Sequence, residues 1–133
     1  MERVQPRILL IEHLERLGRV IALYLLSAGY ELATTSDPEA VEPRLVTDPP
    51  DLLIFNTGMA AEEKSFYISR WRGAVPNLKV LEISPNPYIW ASHVQPKDVG
   101  APDLFLDVPF DLDELGAAVE GCLNAPGDAL GPA

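Results

Sequence analysis

The residues able to do chemistry stand at the ends of short apolar runs. Glu12 and His13 follow RILLI (7–11), Asn56 and Thr57 follow DLLIF (51–55), Ser84 follows LKVLEI (78–83), and Val108-Pro109 follow DLFLD (103–107). Glu12 offers a hard oxygen and His13 a ring that titrates near neutrality. The pair reads either as a residual metal or proton-responsive site or as a solvated remnant. Asn56 also has two readings. It is a turn residue at a strand end, since Asn is favoured at turns and left-handed positions, or it occupies a site that would ordinarily hold a different side chain. The single cysteine, Cys122, can form no internal disulfide and supplies no metal cluster.

An alternation of hydrophobic periods positions these residues. RILLI is a short continuous apolar run, as in a strand covered on both faces. Leu14, Leu17, Ile21, Tyr24 or Leu25, and Ala28 then recur at three- and four-residue steps, which predicts a helix over 13–28 closed by Gly29. A brief strand over 31–34 follows, then a helix started by Ser36-Asp37-Pro38 and bent or shortened by Pro43. The strand over 51–55 leads to a third helix over 61–73, with Phe66 or Tyr67 and then Trp71 facing inward. After a fourth strand over 78–83, Pro85, Pro87 and Pro96 oppose a regular helix, so an irregular fourth helix is expected. His93 falls in that region and has no assigned role. The fifth strand covers 103–107, and Asp111 caps a last helix with Leu112, Leu115, Val119, and Cys122 or Leu123 on its apolar face.

Strand then helix, repeated five times, predicts an α/β fold: a doubly wound, five-stranded parallel sheet with helices on both faces. Such sheets bind ligands at the carboxyl ends of their strands, where Glu12, Asn56, Ser84 and Val108 stand. The 133 residues, 47% of them hydrophobic, fit one domain, expected over 1–124, with a Pro-, Gly- and Ala-rich tail or linker over 125–133. Twenty acidic residues against ten basic give a formal charge of −10, which repels a phosphate backbone and argues against nucleic-acid binding. No apolar run approaches the roughly 20 residues that span a bilayer. The N-terminus does not read as a secretory signal, so the expected location is cytoplasmic, with no membrane contact.

Several segments resemble the receiver domains of two-component response regulators. ILLIEHL (8–14) is similar to the family's ILIVDDE, AGYELATTSDPEA (28–40) to its second-strand segment, and PDLLIFNTGM (50–59) to PDLVLLDxxM. Gly100-Ala101 and VPFDLDEL (108–115) resemble the GA and KPFxxxEL segments around the fifth strand, with a Gly100 to Pro109 spacing one residue longer than usual. The resemblance covers about 6–123 and implies a flavodoxin-like (βα)5 fold.

It also implies site roles, most of them lost here. The family's phospho-acceptor Asp is matched by Asn56, whose neutral amide is no nucleophile toward phosphorus. Glu12 matches the first acidic magnesium-holding position, and His13 replaces the second. Ser84 keeps the hydroxyl position, Val108 stands where the lysine before Pro109 belongs, and Phe105 matches the switch aromatic. Aligning Asp107 there instead restores no lysine. The expected protein is thus a pseudo-receiver, neither an enzyme nor a cofactor binder, acting through a protein partner or as a homodimer. The family's interaction face is formed by the fourth helix, fifth strand and fifth helix. Tyr88, Ile89 and Trp90 either contribute to that face or fold back onto the core. A small-molecule sensor using the emptied pocket, and a receiver phosphorylated on Ser84 or Thr57, are the alternatives.

Overall fold

The computed structural model describes residues 5–12, 15–56, 60–84 and 99–124. Tyr88, Ile89, Trp90 and His93, the irregular fourth helix and the tail over 125–133 lie outside the described residues, as do His13 and Thr57. The strands are β1 (Arg7–Glu12), β2 (Glu31–Thr35), β3 (Leu52–Asn56), β4 (Val80–Ser84) and β5 (Leu104–Asp107). All neighbouring pairs run parallel, in the order β2-β1-β3-β4-β5. Four α-helices are described: α1 (Glu15–Ser27), α2 (Val41–Thr47), α3 (Ala61–Ala74) and, last in the chain, α4 (Leu112–Asn124).

Alternation along the strands divides the core in two. Leu9, Ile11, Leu53, Phe55 and Val80 pack with Val41 and Leu45 of α2 and Ile68 and Trp71 of α3. Ile8, Leu10, Leu52, Ile54, Leu81 and Ile83 pack on the opposite face with Ile21 and Leu25 of α1 and with Leu115, Val119 and Cys122 of α4. The sheet is doubly wound, as the continuous apolar runs predict.

Local chemistry sets the helix ends. Gly29, at φ 96°, closes α1: its N–H donates to the Leu26 carbonyl, and that of Tyr30 donates to the Leu25 carbonyl. This paired arrangement requires the left-handed conformation that glycine adopts freely. Asp37 does not cap α2 directly. Its carboxylate accepts from the Glu39 N–H and starts a 3-10 turn over Pro38–Ala40, after which α2 lasts seven residues with Pro43 in its first turn. Asp111 and Glu114 each accept the other's backbone N–H, at 2.7 and 3.0 Å, in a reciprocal cap that starts α4.

On α3 the alternative falls to Tyr67, and one inward assignment on α4 is corrected. Phe66 is 58% exposed, and the buried stripe of α3 runs through Lys64, Ile68 and Trp71, with Tyr67 half-buried beside it. Leu112, in the first turn beside the reciprocal cap, is 43% exposed, whereas Leu115, Val119 and Cys122 of the expected face are buried together with Ala118.

The amino-terminal side of the sheet is tied by Arg72. Its Nε donates to the Leu78 carbonyl, Nη1 to the carbonyls of Val99 and Ala101, and Nη2 to Asp103 at 2.9 Å. Asp103 also accepts the Val80 N–H at 2.7 Å. Burial lowers the Arg72 pKa, and Asp103 opposes that shift. Arg72→Met leaves these carbonyls and Asp103 without the guanidinium. The expected loss is about 3 kcal/mol, read as a lower urea midpoint, because breaking a largely buried pair strands its partner.

Candidate functional site

Crossing from β2 to β1 and then to β3 reverses the direction in which strands are added, so the carboxyl ends of β1 and β3 flank the crevice where such sheets bind ligands. Glu12 pairs with Asn56 across that crevice, and Ser84 pairs with Asp107 at the ends of β4 and β5. Asn56 and Ser84 are the last residues of their strands rather than the first residues beyond them. No described residue other than glycine has positive φ, so Asn56 is not a left-handed turn residue. Val108 follows β5, is 39% exposed, and precedes Pro109 through a cis peptide.

Glu12 is 9% exposed and lies against α1. Its side chain crosses Gly18, where a Cβ would overlap the Glu12 Cγ, so a glycine in α1 makes room for the carboxylate. Glu12 thereby lines a cleft of about 590 Å³ between α1 and the edge strand β2, together with Gly18, Arg19, Ala22 and the hydroxyl residues 34–36. The magnesium ion implied by the resemblance does not fit this chain. An amide at 56 and an imidazole at 13 stand where a hard dication needs carboxylates.

Beneath the same edge is an ion pair that the sequence reading missed. Lys64 Nζ lies 2.9 Å from Glu82 Oε2, with side chains 6% and 0% exposed. Glu82 Oε1 is buried without a hydrogen-bond partner. Burial pushes the Glu82 carboxyl up to about 7, against the downward pull of Lys64. Glu82 is level with Phe55 on β3 and Phe105 on β5, and Phe105 packs against the α2 and α3 core. The signal was present: Glu82 interrupts the apolar run LKVLEI, and Lys64 stands four and seven residues before the buried Ile68 and Trp71.

Comparison with known proteins places the architecture. No protein-family model and no curated protein sequence matches the chain. Solved structures match it closely in shape. The chemotaxis protein CheY4 of Vibrio cholerae superposes with a TM-score of 0.74 at 18% identity, covering 90% of this chain and 100% of that one. The receiver domain of the sensor histidine kinase PA1611 from Pseudomonas aeruginosa, which holds magnesium in its active-site cleft, gives 0.71 at 15%, covering 92% and 100%. HP1043, an orphan response regulator of H. pylori, gives 0.71 at 23%, covering 92% and 100%. The chain therefore has the fold of these receiver domains, a CheY-like, flavodoxin-like α/β sheet.

Two measurements test this geometry. In a helix, Gly→Ala ordinarily gains about 1 kcal/mol. Gly18→Ala is expected instead to destabilise, because the new methyl displaces Glu12, and to become neutral or stabilising in a Glu12→Ala background. Urea unfolding of the four variants of this cycle checks it. For Glu82, the folded carboxyl keeps its proton up to about 7, whereas an unconstrained one releases it near 4.5. Between those values the unfolded chain binds fewer protons, so this residue's contribution to stability is full at acid pH and is lost as pH rises through about 7. The stability of the wild type relative to Glu82→Gln is expected to fall across that window, seen as diverging urea midpoints.

Proposed function

We propose that the chain is a pseudo-receiver: a receiver-fold domain that takes no phosphoryl group at the usual position and acts by phosphorylation-independent protein-protein interaction. The observation that carries this reading is Asn56 as the terminal residue of β3, level with Glu12 at the strand-order reversal. An Asp there would be the nucleophile. An amide oxygen carries no charge and forms no stable acyl phosphate. With Val108 or Asp107 in the lysine position, no cation from that position neutralises charge on a phosphoryl group.

The interaction half of the reading is supported by exposed apolar side chains along the edge strand β5 and its continuation. Val99, Leu104, Val108 and Leu112 are between 39% and 60% exposed. Leu104 lies on the strand and Leu112 on the last helix of the face that the resemblance assigns to partners, Val99 and Val108 lie before and after that strand, and a second copy of the chain is the occupant tested first. Apolar residues clustered at an unpaired sheet edge favour association over a solvated surface.

A second reading, a small-molecule sensor, is favoured by the cleft beside Glu12, whose volume lies within the range typical of ligand sites. A ligand bound there would raise the unfolding temperature, and Arg19→Ala would reduce that rise.

Incubation with acetyl phosphate and magnesium, followed by intact mass, tests the first reading. The expected result is no adduct on the wild type. A stable one-to-one phospho-adduct, on Ser84, Thr57 or any other residue, overturns it. In sedimentation, Leu104→Glu is expected to weaken self-association at least tenfold, a change of about 1.4 kcal/mol.

A further inference from the structure

The buried pair at Lys64 and Glu82 plays no part in the reading above and stands independently of it. Lys64 lies in the first turn of α3, whose positive dipole end disfavours a cation. Burial disfavours that cation again. Glu62 and Glu63, in the same turn, remain exposed at the surface. Glu82, at 2.9 Å, supplies an attraction from within that opposes both effects. Glu82 in turn is poorly accommodated as an anion. One of its oxygens has no donor, and its neighbours across the sheet, Phe55 and Phe105, bring neither charge nor hydrogen-bond donor to it. Among the described residues, Lys64 is the one titratable group facing it, from α3; β3 and β5 face it with aromatic rings.

We propose that Lys64 and Glu82 form a proton-operated latch between α3 and β4, closed when Glu82 is ionised and released when it is protonated. Each member is held in place by the charge of the other, so neutralising the carboxyl removes the force that keeps the ammonium buried. The lysine stem is flexible enough to carry its head to solvent without unwinding the helix. Release frees the first turn of α3 from β4, two residues before Ser84 and beside the end of β3. The carboxyl edge thus keeps a two-state element driven by proton binding at its base. The position of the equilibrium near neutrality agrees with the burial of Glu82.

The test is an NMR titration of the full isotope-labelled chain from about pH 5 to about pH 9, following the Glu82 carboxyl carbon and the Lys64 ammonium together. Both are expected to move with one shared midpoint near 7. Glu82→Gln is expected to hold Lys64 in the released state at every pH. A carboxyl that titrates near 4.5, or one that titrates near 7 while Lys64 remains unchanged, overturns the latch and leaves a fixed ion pair. The wild-type titration decides the matter without depending on whether the variant folds.

Discussion

The register between β1 and β3 is the constraint on which the carboxyl edge depends. Ile8 stands level with Leu52, and the ladder runs without interruption to Glu12 and Asn56. Both strands are buried on both faces, so a slip of one residue would exchange the two halves of the core and send each side chain toward the wrong helices. The packing of α1 and α4 on one side and of α2 and α3 on the other holds that register from two directions. The position of Asn56 is therefore a product of the whole core, not of its own sequence neighbourhood.

What this edge lacks and what lies beneath it form a contrast in charge. The positions that the resemblance matches to phosphoryl handling carry an amide, an imidazole and an aliphatic side chain. A lysine and a carboxylate are instead found inside, paired at 2.9 Å. Such burial is a weak source of net stability, since desolvation offsets most of the attraction. Its structural effect is positional: it fixes the first turn of α3 against β4 at a defined height, which apolar contacts alone specify less sharply. Glu12 shows a related rearrangement, since Gly18 lets its carboxylate lie across α1 and line the cleft toward β2.

Much of this was legible in the sequence because strand burial and helix amphipathicity leave different periods. The five-strand order of events, the glycine stop after α1 and the caps at Asp37 and Asp111 all came from local patterns. Strand ends were less legible. β3 and β4 each run one residue further than their apolar runs, because a parallel ladder continues wherever its neighbour offers a partner, and Glu12 and Asp107 do so. The stripe of α3 was read only in part: Trp71 and the alternative Tyr67 do face the core, but treating charged residues as outward hid Lys64 and left Phe66 as the other candidate. Gly18 gave no signal by itself, because its value lies in a contact with a residue of another element.

The Arg72 network bears on how this scaffold can vary. One guanidinium binds the chain just before β4 and again at Val99 and Ala101, just before β5. The re-entry point of the chain at β5 is therefore anchored by α3. Because the same guanidinium also holds Leu78, the starts of β4 and β5 are set by one side chain, and neither strand can shift along its axis without straining the other's entry.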